Sequence, residues 1–425
     1  MPRSSALVDT RIIYCGDCLD QLRKLPDACV DLIYIDPPFN SNRNYEVFWG
    51  ETKEKRSFED RHASTQAYIE FMRPRCVELA RVLKQTGSFY YHCDWHASHY
   101  VKVMLDQIVG ENNFQNDITW KRTTAHTDSS TKFGHVTDTL FFYSGGGEHT
   151  WHLQYRAHKE SYLKSHYSRQ DGGGRHYRLD NIIRSQSMGP RPNLVYAYKG
   201  FTPQWGWRVV LPKLQSLDET NRIQWSKTGT PYLVRYLDEQ EGELINNIWD
   251  DIPPVNSQAK ERLGYPTQKP LALLERIIQA SSDPNSIVLD AFCGCGTALI
   301  AAERLNRQWI GIDISPTACR VMANRLRKEC ALREDETLWK AGRGFVVRDL
   351  PWTEERLRKI PPFEFENWAV IALGGIPNKA KVGDMGIDGR IYPVSAIDHR
   401  RDTAIRRERE AGARELSFMD IWYPI

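Results

Sequence analysis

Short apolar runs that alternate with helix-length segments determine the fold class of this chain of 425 residues. Segments 30–35 (VDLIYI) and 286–289 (SIVL) are rich in β-branched residues and bounded by turn residues, which is typical of strands buried in a parallel sheet. Segments 67–83 and 270–280 carry apolar residues at helical spacing, and Gly87 would act as a stop signal after the first helix. This alternation predicts an α/β fold around a mostly parallel, twisted sheet.

The alternation breaks down between residues 144 and 260. Glycine runs at 145–147 and 172–174 interrupt a stretch that is rich in Trp, Tyr, Arg and His and has weak periodicity. The α/β pattern resumes after it, so we expect a separate, irregular domain inserted into the α/β unit.

Composition places the chain among soluble globular proteins, with 41% hydrophobic and 26% charged residues and a net charge of only +3. It has neither an apolar run of ~18 residues nor a secretory leader, so we expect a cytoplasmic protein. The nine cysteines are scattered, which favours free thiols over disulfides or zinc. We interpret the cluster of His92, His96 and His99 as a strand end and expect no metal site.

A glycine-rich loop, DAFCGCGT, occupies residues 290–297 at a strand end and opens a helix, which is the context of a nucleotide-type ligand loop. Glycines let the backbone approach a ligand, and the helix N-terminus favours an anionic group by ~0.3–1 kcal/mol. Asp313 ends the next predicted strand, where a carboxylate can accept hydrogen bonds from ribose hydroxyls. A dinucleotide site is the competing interpretation, but the third glycine of that fingerprint is missing.

A second motif, Asp36-Pro37-Pro38-Phe39, directly follows the predicted strand at 30–35. Two prolines cannot continue a central ladder, so the strand must end there. An ordinary Asp-Pro-Pro turn is the alternative. The strand before the motif and the aromatic residue after it favour a functional site.

Together with the block YPTQKP at residues 265–270, these two motifs give the chain a family resemblance. In sequence it resembles the amino-methyltransferases of restriction–modification systems over about residues 10–330. The catalytic motif precedes the cofactor motif, as in the β class, which includes type III modification subunits. The resemblance implies a circularly permuted Rossmann-like methyltransferase that uses S-adenosyl-L-methionine to methylate DNA.

The resemblance also implies how the motif acts. The carboxylate of Asp36 and the carbonyl of Pro37 would accept hydrogen bonds from the target amino group, and Pro38 belongs to the same catalytic motif. Phe39, where the family usually has tyrosine, would stack on the flipped base. Cytosine-N4 members usually carry serine in place of Asp36, so adenine N6 is favoured and cytosine N4 stays the alternative. Cytosine-C5 chemistry needs a Pro-Cys dipeptide, which this chain lacks.

For the cofactor, the resemblance implies contacts to each part of S-adenosyl-L-methionine. Asp17 would bind the adenine end and Asp313 the ribose. The methionine portion and its carboxylate would be held by Asp290, Phe292, Gly294, Gly296, Lys269 and Thr297.

The insert would be a target-recognition domain that binds double-stranded DNA. Its basic residues suit phosphate contacts, and the aromatic Tyr196, Trp205 and Trp207 would supply planar faces. Lys121, Arg122 and the loop 123–131 would line the DNA cleft. The basic residues singled out are Arg156, Lys159, Arg169, Arg175, Arg178, Arg184 and Arg191. A homodimer and a restriction subunit are further partners that the resemblance suggests.

From residue 363 onward the chain resembles the start of an Mrr-like endonuclease domain of the PD-(D/E)xK type. Asp388 would match its first metal-binding acid, but no partner motif follows, and one aspartate cannot assemble the metal site. We therefore expect a truncated nuclease-like region without cleavage activity; a helper domain, or a nuclease completed by another chain, is the alternative. The expected division is 1–146 catalytic part, 147–260 insert, 261–335 cofactor-binding part and 336–425 nuclease-like region.

Two broader alternatives concern the activity itself. An RNA or small-molecule amino-methyltransferase would share the same pair of motifs, but the large basic and aromatic insert favours duplex DNA. A DNA-binding protein without catalysis is disfavoured because both motifs are intact.

Overall fold

The computed structural model describes residues 8–38, 64–123, 133–256, 259, 261–263, 267–350, 376–377, 389–391 and 414–416. The chain divides into two compact units. Unit 1 comprises Met1–His152 and Asn246–Ile425, and unit 2 is the continuous segment Leu153–Ile245.

The secondary structure follows the alternation seen in the sequence. The helices are α1 Cys18–Leu22, α2 Thr65–Val82, α3 Ser98–Leu105, α4 Glu160–His166, α5 Leu211–Glu219, α6 Leu271–Ser281, α7 Thr297–Arg304, α8 Pro316–Glu329 and α9 Glu336–Lys340. The strands up to residue 181 are β1 Ile12–Cys15, β2 Val30–Ile35, β3 Leu83–Cys93, β4 Phe114–Lys121, β5 Thr137–Ser144, β6 Tyr155–Arg156, β7 Arg169–Gln170 and β8 His176–Asn181. The later strands are β9 Ile223–Trp225, β10 Pro231–Tyr236, β11 Glu243–Leu244, β12 Ile248–Trp249, β13 Ile287–Asp290, β14 Gln308–Asp313, β15 Arg333–Glu334, β16 Gly344–Arg348, β17 Ile376–Pro377, β18 Gly389–Ile391 and β19 Arg414–Leu416.

A ten-stranded sheet forms the centre of unit 1, in the order β12-β4-β5-β3-β2-β13-β14-β1-β16-β15. Neighbouring strands run parallel except at β5, which is antiparallel to both β3 and β4. This mixed, mostly parallel sheet confirms the prediction of an α/β fold. Strands β2 and β13 are neighbours although more than 250 residues separate them, with Leu32 opposite Val288 and Ile33 opposite Leu289. Their carboxyl ends therefore meet at one edge of the sheet.

Helix α2 shows how the sequence builds the core. The Ser64 hydroxyl caps its start by accepting a hydrogen bond from the backbone N–H of Ala67 at 3.1 Å. Tyr68, Met72 and Leu79 recur at helical spacing and are fully buried in the core cluster around β2 and β3. The amphipathic pattern thus fixes which face of α2 covers the sheet.

The expected stop at Gly87 is wrong. Helix α2 already ends at Val82, and β3 begins at once with Leu83, so Gly87 lies inside the strand. A Cβ at Gly87 would come within 2.7 Å of the Leu83 side chain and 2.9 Å of the Asp31 carbonyl oxygen. The glycine therefore serves a close backbone approach rather than a helix terminus.

The central sheet also continues beyond the expected boundary at residue 335. Strand β16 pairs in parallel with β1, with Ile12 opposite Val346, so the α/β unit reaches at least Arg348. Strands β17, β18 and β19 form a small antiparallel sheet. Asp388 lies outside the described residues, so the nuclease resemblance stays a prediction.

Unit 2 contains an antiparallel sheet in the order β7-β8-β10-β9 and the strand pair β6–β11. Its core holds Ile182, Trp207, Leu214 and Ile223, with Tyr196 packed against it. The prediction that Trp207 offers a planar face to a ligand is therefore wrong, because Trp207 is fully buried and donates its indole N–H to the Tyr196 carbonyl at 2.9 Å. Tyr196 is half-buried, and its role stays a prediction.

All nine cysteines are free thiols in the structure, and eight of them are buried. Across the described residues, we find no helix whose length and apolar character would let it cross a membrane.

Candidate active site

Asp36 stands at the carboxyl end of β2 and is largely enclosed. Its carboxylate is 15% exposed, and its Oδ2 atom contacts the ammonium group of Lys269. The other oxygen, Oδ1, is buried and has no hydrogen-bond partner among the described residues. A buried carboxylate oxygen without a partner costs free energy, so this atom is an acceptor available to a ligand.

The glycine loop follows β13, the sheet neighbour of β2. The Cys293 N–H donates to the Ile312 carbonyl at 3.1 Å, and the Gly296 N–H donates to the Cys293 carbonyl at 2.8 Å. Gly296 has φ of +76°, and a Cβ there would come within 2.6 Å of Met322. Both the turn and the close approach therefore require glycine at this position.

Asp313 ends β14 and faces the same loop. Its carboxylate accepts hydrogen bonds from the backbone N–H groups of Gly294 at 2.7 Å and Ser315 at 2.9 Å. Burial raises the pKa of Asp313 to about 6, although these two hydrogen bonds oppose the shift. The carboxylate is thus held in a fixed orientation beside the glycine loop.

Asp290 links the two motifs electrostatically. It is buried, and its Oδ1 atom accepts a hydrogen bond from the Phe292 N–H at 3.0 Å. Burial raises its pKa well above the ordinary value, and the charges of Asp36 and Asp313 raise it further, while Lys269 lowers it. Three carboxylates and one ammonium group therefore share a single site at the carboxyl edge of the sheet.

Similarity to known proteins agrees with this arrangement. Residues 30–325 match the family model described as DNA methylase, N6_N4_Mtase. The match covers more than half of the chain and includes both motifs. The chain belongs to this family of DNA methylases.

Individual relatives match over parts of their length. The chain is 30% identical to the type II methyltransferase M.EcaI of Enterobacter cloacae over 297 residues, which are 69% of this chain and 64% of that protein. It is 29% identical to the Mod subunit of the type III restriction-modification enzyme StyLTI of Salmonella typhimurium, over 69% of this chain and 50% of that protein. The chain thus spans less than two thirds of the length of these relatives. A solved structure, the cytosine-N4-specific PvuII DNA methyltransferase, is 15% identical with a TM-score of 0.43, over 75% of this chain and 87% of that one.

Several residues predicted for the cofactor site of the methylase have protein partners. The Asp17 carboxylate caps α1 by accepting from the Leu19 N–H at 2.8 Å and forms an ion pair with Arg75 at 2.6 Å. The Thr297 hydroxyl accepts a hydrogen bond from the Arg325 guanidinium at 3.2 Å. Lys269, expected at the cofactor's carboxylate, contacts Asp36.

The structure describes only some of the other residues of the DPPF motif and of the YPTQKP block. Pro37 is buried and Pro38 half-buried, directly after β2. Phe39, Tyr265 and Pro266 lie outside the described residues.

Sequence reasoning missed a polar network beside Asp36. The Tyr34 hydroxyl lies 2.9 Å from His92 Nδ1, and His92 Nε2 lies 3.3 Å from the Asp138 carboxylate. All three side chains are buried. Asp138 sits at the start of a run, TDTLFFYS, that is otherwise free of charge, and this isolated acid was the signal that could have found the network.

Proposed function

We propose that this methylase transfers a methyl group from S-adenosyl-L-methionine to the N6 amino group of an adenine in double-stranded DNA. One observation carries the proposal: Oδ1 of Asp36, beside the glycine loop, is a buried acceptor without a hydrogen-bond partner among the described residues. Family membership supports methyl transfer to DNA.

An exocyclic amino group is a poor nucleophile because its lone pair is delocalised into the ring. A hydrogen bond from that group to Oδ1 of Asp36, and by the resemblance a second one to the Pro37 carbonyl, would draw the nitrogen towards sp³ geometry. The Asp36 charge would also stabilise the positive charge that develops on the nitrogen. Catalysis would then rest on positioning and electrostatics, with the base rotated out of the duplex.

The residues at the glycine loop fit the cofactor. Bound there, S-adenosyl-L-methionine would supply the electrophilic methyl group. The loop from Asp290 to Gly296 can approach the ligand closely, and Asp313 is oriented to accept ribose hydroxyls. We assign Lys269 first to Asp36, which it contacts, rather than to the cofactor's carboxylate.

We also infer that the fold is circularly permuted. The motif on β2 comes first in the chain and the glycine loop on β13 comes late, yet the two strands are neighbours in the sheet. In open α/β sheets ligands bind at the carboxyl ends of strands, so either chain order can unite base and cofactor.

Unit 2 is proposed to hold the DNA. Of its basic residues singled out above, Arg156, Arg175 and Arg178 are engaged in internal ion pairs, and Arg184 is buried. The exposed Lys159, Arg169 and Arg191 make no such pair within the described residues and suit phosphate contacts. A second copy of the chain and a restriction subunit remain proposals that rest on the resemblance.

The product identifies the reaction. We expect digestion of duplex DNA incubated with the protein and S-adenosyl-L-methionine to yield N6-methyldeoxyadenosine in nucleoside mass spectrometry. N4-methyldeoxycytidine would establish the alternative instead. Methylated RNA without methylated DNA would refute the proposed substrate, and long-read sequencing would give the sequence context.

Asp36→Ala tests the role of the carboxylate. Because the acceptor is lost while the glycine loop stays intact, we expect methylation to fall at least 10³-fold, on the order of 4 kcal/mol. Calorimetric affinity for S-adenosyl-L-methionine should change less than about threefold. Methylation at more than a tenth of the wild-type rate would remove Asp36 from the mechanism.

A further inference from the structure

The buried polar network crosses three strands next to the proposed base site. It begins at Tyr34 on β2, passes through His92 on β3 and reaches Asp138 on β5. These residues are 2%, 0% and 1% exposed, so water does not compensate their polar groups. Asp138 continues the chain to Arg122, whose Nε lies 3.2 Å from Oδ1 in an ion pair.

The strand that carries Asp36 has little backbone support at its end. Its pairing with β13 ends at Ile33, and its pairing with β3 ends at Ile35. Pro37 and Pro38 have no N–H group with which to extend either ladder. Ile35 packs into the apolar core, and among the described residues the Tyr34 hydroxyl makes the side-chain hydrogen bond of β2 that lies nearest to the Asp36 turn.

The polar network also interacts electrostatically with the charged residues of the site. Tyr34 and Asp36 are two residues apart, and Asp36 directly follows the last residue of β2. The Asp36 charge acts on the Tyr34 hydroxyl, and the Lys269 charge acts on Asp138. The network is thus coupled to both members of the Asp36–Lys269 pair.

Stability alone is a weak reason for such a network. Replacing buried charged groups by well-packed apolar residues is often neutral or stabilising, whereas hydrogen bonds between buried polar side chains specify one geometry. An enzyme that works by positioning needs its acceptor held within about 0.5 Å.

We propose that Tyr34 and His92 are positioning residues for methyl transfer: His92, oriented by Asp138, holds the Tyr34 hydroxyl and with it the strand end that aims Oδ1 of Asp36 at the base. This inference rests on the proposed function. Neither residue touches the reacting atoms. Their loss would lower the rate of the chemical step and leave cofactor binding intact.

Tyr90 provides a matched control. It is the register partner of Tyr34 on β3, is 1% exposed, and its hydroxyl lies 2.7 Å from the Ser281 hydroxyl. Tyr34→Phe and Tyr90→Phe therefore each delete one buried, hydrogen-bonded hydroxyl at adjacent positions. A purely structural role predicts the same outcome for both variants.

The test compares single-turnover methyl transfer to duplex DNA by wild type and both variants, at saturating S-adenosyl-L-methionine. We expect Tyr34→Phe to lower the rate about tenfold and Tyr90→Phe to stay within about twofold of wild type. Melting temperature and cofactor affinity should shift equally in the two variants. Equal rates in the two variants would overturn the inference, while an inactive wild type would refute the proposed function itself.

Substitutions of His92 provide a second test, which does not depend on changing a tyrosine. His92→Asn keeps a short polar side chain that can bond the Tyr34 hydroxyl, whereas His92→Leu removes the bond at similar volume. We expect the Asn variant to retain at least five times the rate of the Leu variant, when both bind cofactor normally. Equal rates in these two variants would also overturn the inference.

Discussion

Lys269 places its ammonium group where the charges of Asp36, Asp290 and Asp313 converge. It contacts Asp36, and both side chains are largely enclosed, at 12% and 15% exposure. Removing one partner of an enclosed charge pair leaves the other charge uncompensated, which is costly. Asp36 is therefore the carboxylate whose charge Lys269 compensates directly.

Lys269→Met tests that link by removing the charge and keeping the apolar stem. We expect the single-turnover rate to fall at least tenfold, about 1.4 kcal/mol, because Asp36 loses the group that orients it. Affinity for S-adenosyl-L-methionine, measured by calorimetry, should change less than about threefold. A tenfold loss of affinity with an unchanged saturated rate would instead show that Lys269 serves the cofactor's carboxylate.

At the scale of elements, the strands of the site were predictable because each is a short, mainly apolar run bounded by turn residues. Strands β2 and β13 lie within a residue or two of their predicted positions. The adjacency of the two strands could not be predicted from local patterns, since pairing across more than 250 residues depends on the whole sheet. Only the family resemblance implied it. Gly87 was misread because a glycine that allows close approach looks the same in sequence as one that ends a helix.

In the candidate site, too, some residues could be predicted from the sequence and others could not. Asp36, Asp290 and Asp313 were predictable because each directly follows or ends an apolar run. The partners of Tyr34, His92 and Asp138 could not be predicted, because each hydrogen bond joins residues on different strands. Local patterns thus locate the motifs, while the contacts between motifs require the fold.

The glycine loop between β13 and α7 can be tested with Gly296→Ala. The residue has φ of +76°, and a Cβ would meet Met322 at 2.6 Å. Gly342→Ala is the control, because Gly342 has φ of +71° with nothing within 4 Å of the added Cβ. Both variants should lose about 1–2 kcal/mol from the left-handed backbone.

Gly296→Ala should lose more, because Met322 or the loop must move. We expect its melting temperature to fall further than that of Gly342→Ala, and its affinity for S-adenosyl-L-methionine to weaken at least tenfold. Gly342→Ala should bind the cofactor as wild type does. Equal affinities in the two variants would contradict a ligand-binding role for the loop.

At the scale of the whole molecule, a net charge of +3 gives little overall attraction to DNA, so binding must rely on local charge. In unit 2, Arg169 and Arg191 are exposed and make no ion pair within the described residues. Each phosphate contact contributes about 0.9 to the slope of log affinity against log salt concentration. Arg169→Ala combined with Arg191→Ala should therefore reduce that slope by about 1.8 and weaken binding at low salt.

A control must remove the same net charge at positions far from the carboxyl edge of the sheet, where the proposed active site lies. Arg333 and Arg343 are exposed and lie at the amino ends of β15 and β16. These strands run parallel to β1, so their amino ends are at the opposite edge of the sheet from the glycine loop. Alanine at both positions should leave the salt slope within about 0.3 of wild type in fluorescence anisotropy titrations. If both double variants reduced the slope equally, the effect would come from net charge alone, and unit 2 would lose its assignment as the DNA-binding part.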